Sequence, residues 1–240
     1  MKAFILAAGL GTRLKPITDF KPKALVEING IPLIEHNIVK LIKSGFNSII
    51  INVHHFADQV IDFVKSKNSF GIDIHFSDER NLLLDTGGGL KNVRWFFNDD
   101  KPFLIHNVDA LTDIDLIKMY NHHYKNKSIA TLAVQKRNSS RYFYFDDQLT
   151  LCGWINEKTS EKKIVRESSG ELKKFAFSGI QFVEPVIFNF MLSSEVFSLV
   201  DLYLSIASKQ RITYFDHTDS LFLDLGKKEN LIEAERIIGK

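Results

Sequence analysis

Two kinds of apolar segment alternate along the first half of the chain. Short continuous runs, KAFILAA, NSIIINVHH, GIDIHFSDE, KPFLIHNVDA and SIATLAVQK, are separated by stretches in which apolar residues recur every three or four positions. Leu33, Ile34, Ile38, Leu41 and Ile42 form one such face, with Gly45 placed to end a helix, and Phe56, Val60, Phe63 and Val64 form another. Further helices are predicted from near Gly89 to Phe97 and from Asp113 to about Lys125. Continuous runs suit strands buried on both faces, and the periodic stretches supply the crossovers that parallel neighbours require. The predicted fold is α/β: a Rossmann-like three-layer sandwich with a mainly parallel central sheet and helices on both faces. Ligands of such sheets sit beyond the carboxyl ends of the strands.

From about Arg137 the rhythm changes. RYFYFDDQLTLCGWINEKTSEKKIVRE has short alternating stretches broken at Asp146-Asp147 and Lys158-Thr159-Ser160, the pattern of a small antiparallel insertion. KFAFSGIQFVEP returns as a strand, SEVFSLVDLYLSIASKQ reads as a long helix, RITYFDHTDSLFLDLG gives two short strands, and KENLIEAERIIG closes as a helix. With no repeat, low-complexity tract or flexible linker in the sequence, residues 1–240 are predicted to form a single domain.

Composition narrows the partners. The net charge of +2 gives no reason to expect a nucleic-acid or membrane surface, so any basic site is local. A lone cysteine, Cys152, excludes an intramolecular disulfide and points to a reducing compartment. Lys2 and the apolar run after it resemble the start of a signal peptide. That run is short, however, and Arg13, Lys15, Lys21 and Lys23 stand where cleavage would fall; nor does any apolar stretch approach the ~20 residues that span a bilayer. A cytoplasmic location is expected.

The first run ends at Ala7-Ala8, and Gly9-Leu10-Gly11-Thr12-Arg13 follows at the carboxyl edge of the expected sheet. Glycines there let backbone N–H groups approach a phosphate, and Thr12 adds a hydroxyl; a plain tight βα turn is the other reading. A dinucleotide fingerprint is disfavoured, because Leu14 and Lys15 replace its third glycine and Val53-His54-His55 replaces the acid after the second strand. A Walker loop is disfavoured because no Gly-Lys-Ser/Thr follows. Arg13 and Lys23 bracket the turn across a loop stiffened by Pro16 and Pro22, where two cations would bind a polyphosphate and neutralise a leaving pyrophosphate. Asp109 ends an apolar strand and Asp224 lies in another apolar run. Magnesium, which takes one or two carboxylates plus phosphate oxygens, suits them; helix or turn capping is the alternative for each. The glycines in Asp85-Thr86-Gly87-Gly88-Gly89 are costly to order, and bare backbone under a planar base would explain them, as would a flexible loop.

LAAGLGTRLKPITDFKPKAL, with Gly30-Ile31-Pro32-Leu33-Ile34 after it, closely resembles the signature of the sugar-1-phosphate nucleotidyltransferases. The similarity continues through Thr-Gly-Gly-Gly, the strand ending at Asp109, Phe177-Ser178-Gly179-Ile180 and Asp224-Leu225-Gly226. The resemblance implies transfer of a nucleoside monophosphate from a nucleoside triphosphate to a sugar 1-phosphate, releasing pyrophosphate. It implies a nucleotide-binding half, about 1–135, and a sugar-binding half, about 136–240, containing the insertion. Ala7, Ala8, Gly9, Gly11, Thr12, Arg13, Gly87 and Gly88 would hold the nucleotide; Arg13, Lys23 and Asp109 would be catalytic; Asp109 and Asp224 would bind Mg2+. Gly179 would sit in the sugar pocket, and Glu157-Lys158 resembles a pair that reads the sugar and its phosphate in some members. Val108 stands where the family usually has Gly, which is expected to reshape the site. Among subfamilies, the short form and the Thr-Gly-Gly-Gly stretch most resemble the N-acetylmuramate 1-phosphate uridylyltransferases, with mannose-1-phosphate guanylyltransferase-like enzymes as the alternative. A silent nucleotide- or sugar-phosphate-binding regulator is the reading from another class; Arg13, Lys23, Asp109 and Asp224 together argue against it.

Overall fold

The computed structural model describes residues 1–238. Its elements follow the predicted alternation. The first half comprises β1 (Lys2–Leu6), a two-residue hairpin of β2 (Glu27–Ile28) and β3 (Ile31–Pro32), α1 (Leu33–Lys43), β4 (Ser48–Val53), α2 (Ala57–Ser66), β5 (Asp73–Asp78), α3 (Asp85–Asn92), β6 (Phe103–Asn107), β7 (Ala110–Thr112), α4 (Leu116–Asn126) and β8 (Ala130–Gln135). The second comprises β9 (Arg141–Phe145), β10 (Leu151–Asn156), β11 (Glu161–Ile164), β12 (Lys173–Val183), α5 (Leu199–Ile206), β13 (Ile212–Asp216), β14 (Phe222–Asp224) and α6 (Lys228–Ile238). Gly239, which the sequence assigns to the closing helix, lies outside the described residues.

Ten strands form the main sheet in the order β11-β10-β9-β12-β6-β1-β4-β5, with β8 against β12 and β13 against β8. β5, β4, β1 and β6 are mutually parallel, as buried runs joined by helices require. β12 enters antiparallel to β6, and its first residues pair with β9, so this one long strand joins the parallel half to the β9–β11 meander. Alternation along β1 explains the three layers. Ala3 and Ile5 pack with Ile34, Ile38 and Leu41 of α1 on one face, while Phe4 packs with Leu90, Phe103 and Ile105 on the other.

Two boundaries differ from the sequence reading. α3 begins at Asp85 rather than near Gly89, so Gly87, Gly88 and Gly89 lie inside it, and a separate 3-10 turn covers Arg94–Phe96. Segment 195–197 crosses directly over this helix: the Gly87 and Gly88 N–H groups both donate to the Phe197 carbonyl, at 2.9 and 3.1 Å. A Cβ on Gly87 would lie 2.5 Å from the Phe197 ring, and one on Gly88 would collide with the Glu195 carbonyl oxygen. Gly87 and Gly88 are therefore bare because a chain crosses them, whereas a Cβ on Gly89 would crowd Glu79 Oε1 and Asn52 Nδ2. The helix read from SEVFSLVDLYLSIASKQ is also shorter than expected; it starts only at Leu199, where the Ser198 hydroxyl accepts the Asp201 N–H and caps it.

The crossing predicts that Gly88→Ala displaces segment 195–197 and lowers unfolding stability by about 1–3 kcal/mol, measured as a reduced urea midpoint. A second prediction concerns His106, which is 1% exposed and whose pKa burial pushes down to about 4. Between its ordinary value of 6.5 and about 4 the unfolded chain takes up a proton that the folded one refuses, so stability falls as pH drops through that window. His106→Asn is expected to flatten the decline, read from urea midpoints across the same pH range.

Candidate active site

β1 has β4 on one side and β6 on the other, and the chain leaves β1 toward β4. The carboxyl ends of β1 and β6 therefore flank a topological switch point, the usual position for a ligand in such sheets. A cavity of about 420 Å³ opens there, with Ala8, Gly9, Lys23, Asn52, Asn107 and Asp109 in its wall. A larger recess of about 770 Å³, among Trp95, Phe97, Pro185 and Phe188, lies toward the opposite ends of the strands and contains none of the residues singled out by the sequence.

The loop after β1 folds back on itself. Gly11 has φ +65°, and a Cβ on it would fall 2.8 Å from Thr18 Cγ2, so only glycine suits this turn. Its carbonyl accepts both the Leu14 N–H, at 2.8 Å, and the Thr18 hydroxyl, at 2.9 Å. Ala7 and Ala8 behave differently from expectation. Their N–H groups donate to Asn52 Oδ1, at 2.7 and 3.3 Å, and are thereby occupied. The next four, on Gly9, Leu10, Gly11 and Thr12, have no partner among the described residues. Four successive free N–H groups at a strand's carboxyl end are donors available to an anion.

The acids converge on this loop. β7 follows Asp109 directly, and β14 pairs with it antiparallel, setting Asp224 opposite Ala110; the Leu225 N–H then donates to the Asp109 carbonyl at 2.8 Å. Lys23 forms an ion pair with Asp109, and both side chains are largely buried. Arg13 Nη1 lies 3.5 Å from Asp224 Oδ2, and its guanidinium covers Gly226 so closely that a Cβ there would collide with it. Burial works to raise the Asp224 carboxyl. The Gly226 N–H it accepts and the charges of Arg13, Lys23 and Lys227 outweigh that, so its pKa lies below the ordinary value. Asp109 and Asp224, brought alongside each other by the β7–β14 pairing, offer only oxygen donors, which suit a hard divalent cation that completes its shell with phosphate oxygens. Among the described residues no group of three or more His, Cys, Asp or Glu gathers to hold a metal by itself.

The remaining predicted residues divide. Thr12 is exposed on the loop beside Arg13. Gly179, at φ +73°, occupies a bulge in β12, and a Cβ there would lie 2.6 Å from Asn107 Nδ2; it therefore borders the cavity through Asn107. Gly87 and Gly88 are turned toward segment 195–197, and the cavity wall in that region is made by Leu83, Asp85 and Thr86. Glu157 and Lys158 are not in the wall; Glu157 sits in a surface ion pair with Lys174 at 2.6 Å. Val108 packs into the core layer under α1, its carbonyl accepting Asn37 Nδ2 at 2.9 Å. The sequence reading missed Asn52 and Glu79. Asn52 Nδ2 donates to Glu79 Oε1 at 2.8 Å, and Glu79 Oε2 accepts the Leu84 N–H at 3.3 Å, so one buried chain of hydrogen bonds ties the loop after β1 to the start of α3. Burial raises the Glu79 pKa against those hydrogen bonds. A polar residue inside SIIINV was the signal available for Asn52.

Comparison with known proteins gives a consistent result. The sequence pattern of the nucleotidyl transferase family matches residues 2–240. An N-acetylmuramate alpha-1-phosphate uridylyltransferase of Neisseria meningitidis is 29% identical over 249 residues, covering 100% of this chain and 99% of that protein. A UTP–glucose-1-phosphate uridylyltransferase of Synechocystis is 31% identical over 248 residues, or 98% of this chain; the chain spans 63% of that relative's length. The crystal structure of HddC from Yersinia pseudotuberculosis, complexed with GMP-PN, shares the fold with a TM-score of 0.79 at 23% identity, covering 99% of both chains. No helix among the described residues is long and apolar enough to cross a membrane.

Asn52→Leu would keep the branched shape, with somewhat more bulk, but leave the Ala7 and Ala8 N–H groups and Glu79 without their partner. The expected loss is about 2–4 kcal/mol of unfolding stability, measured by urea titration; a change under about 0.5 kcal/mol, typical of an uninvolved surface position, would show that the bridge is unimportant.

Proposed function

Because this chain belongs to the nucleotidyl transferase family, we propose that it joins a nucleoside monophosphate, drawn from a nucleoside triphosphate, to a sugar 1-phosphate. The observation that carries the reading is the buried Lys23–Asp109 pair in the wall of the cavity that opens beside Gly9, to which the β7–β14 pairing joins the Arg13–Asp224 pair. In the proposed reaction a phosphate oxygen of the sugar 1-phosphate attacks the α-phosphorus in line. One P–O bond forms, the bond to the β-phosphate oxygen breaks, and pyrophosphate departs with the electron pair. No side chain need act as nucleophile, so the protein's contribution is positioning and charge neutralisation. The N–H groups from Gly9 to Thr12 and the Arg13 guanidinium hold the triphosphate, and Lys23 stabilises charge on the reacting phosphates. Asp109 and Asp224 would hold a divalent ion, Mg2+ in this reading, which when bound supplies further charge neutralisation.

The halves would divide the substrates, the nucleotide on the first and the sugar phosphate near Asn107 and Gly179. We favour UTP and N-acetylmuramate 1-phosphate; full-length coverage of the Neisseria relative supports this choice. Magnesium, a role in cell-wall precursor metabolism and a cytoplasmic location belong to the same reading.

Pyrophosphate release measured over the four ribonucleotides and dTTP, each with a panel of sugar 1-phosphates, is expected to be fastest with UTP and N-acetylmuramate 1-phosphate. A faster reaction of GTP with mannose 1-phosphate would replace that pair with the guanylyltransferase alternative. Nucleotide binding without turnover of any pair would favour a regulator. Lys23→Ala and Asp109→Ala are each expected to lower turnover at least ~100-fold, the scale of losing one electrostatic stabiliser, with folding checked by thermal melting. Near-normal turnover in either variant would remove that residue from the mechanism. Chelation with EDTA is expected to stop the reaction and added Mg2+ to restore it.

A further inference from the structure

Arg137 is a half-buried cation that the proposed reaction does not use. It lies just beyond the carboxyl end of β8, outside the cavity wall itself, and its guanidinium contacts two features that lead to the site. One Nη donates to the Phe177 carbonyl at 2.7 Å, two residues before the Gly179 bulge. The guanidinium also lies over the Phe222 ring, 4.7 Å from its centre, two residues before Asp224. Its Nε is buried and has no hydrogen-bond partner.

No carboxylate among the described residues lies within ion-pairing distance of Arg137. The acid whose charge reaches it is Asp224, which is already engaged by Arg13 and by the Gly226 N–H. Burial accordingly pushes the Arg137 pKa below its ordinary value. Filling the orphan carbonyl at the bulge uses one of five donors and does not require a permanent charge. A guanidinium withdrawn from water without an anion is costly, and its planar fork is shaped for two oxygens of a carboxylate or phosphate.

We propose that Arg137 is the sugar-side anion receptor of this site, taking an oxyanion of the sugar 1-phosphate. Two oxyanions share that chemistry: the 1-phosphate itself, and a carboxylate carried by the sugar. Lys158 is exposed at the surface, and the cation in the cavity wall, Lys23, is already paired with Asp109. The inference rests on the nucleotidyltransferase reading and adds to it the residue that selects the acceptor.

The test uses Arg137→Gln and Arg137→Lys with two acceptors, N-acetylmuramate 1-phosphate, which carries a carboxylate, and N-acetylglucosamine 1-phosphate, which does not. For Arg137→Gln the KM of N-acetylmuramate 1-phosphate is expected to rise about 10–100-fold, the scale of hydrogen bonds to a charged group. The KM of the nucleotide should change less than about 3-fold, because the lost interaction lies outside the nucleotide site. Arg137→Lys should recover part of the loss, since it restores the charge but not the fork. A rise confined to N-acetylmuramate 1-phosphate identifies the carboxylate as the bound group; an equal rise with both acceptors identifies the phosphate. An unchanged acceptor KM, or equal losses in acceptor and nucleotide KM that track a lowered melting temperature, would overturn the proposal and leave Arg137 a structural residue. A wild-type protein inert toward every substrate pair would overturn the parent reading alone. Calorimetric titration of the two sugar 1-phosphates into wild type and Arg137→Gln then still decides: weaker binding to the variant supports the receptor, and equal binding overturns it.

Discussion

Two three-residue strands, Ala110–Thr112 and Phe222–Asp224, pair beside the main sheet, and through that pairing Asp224 reaches the flank of Asp109 from near the end of the chain. Everything at the site follows from this contact. It sets Asp224 alongside Asp109, it gives Arg13 an acid to face, and it brings Phe222 under Arg137. A strand of this length has little stability of its own. The Thr112 hydroxyl, which donates to the Leu221 carbonyl at 2.6 Å, and the Leu225 N–H, which donates to Asp109, hold its two ends.

A second constraint acts from behind the loop. Asn52 is the next-to-last residue of β4, after three isoleucines, and gathers Ala7, Ala8 and Glu79 around one side chain. Its oxygen uses up the two N–H groups nearest β1, so the donors left for an anion begin only at Gly9. Glu79 extends the support to α3, and segment 195–197 presses on the far side of that helix where the glycines leave room. The cavity wall is thus braced from two directions by buried polar contacts, which hold geometry more sharply than apolar packing because each has a directional optimum.

Much of this was legible in the sequence because it depends on local pattern. The alternation of apolar runs and helical periods revealed the parallel half, and the glycine turn with Arg13 and Lys23 marked the carboxyl edge of β1. Asp109 and Asp224 stood out as acids in apolar company. What escaped was information carried by contacts distant in the chain. Nothing in Asp85-Thr86-Gly87-Gly88-Gly89 reveals that residues 195–197 will lie across Gly87 and Gly88, so the sequence offers a base or a flexible loop as the reason for them and not that crossing. The Ser198 cap that delays α5 competes with an apolar run that reads as helix throughout. Glu157 and Lys158 matched a pair by order alone, while the turn after β10 places Glu157 against Lys174. Asn52 was visible as a polar intruder in a strand, but its partners were not.

The cations and acids of the site neutralise one another in the free protein: Lys23 rests on Asp109, and Arg13 faces Asp224. Under the proposed reading, a triphosphate arriving alone would have to draw the bases away from the acids, and a divalent ion arriving alone would have to draw the acids away from the bases. Entry of both together would then let each guest vacate the counterpart that the other needs. The resting cleft would in this sense be a latch with reciprocal keys, and loading it an exchange of counter-ions in which nucleotide and metal favour each other.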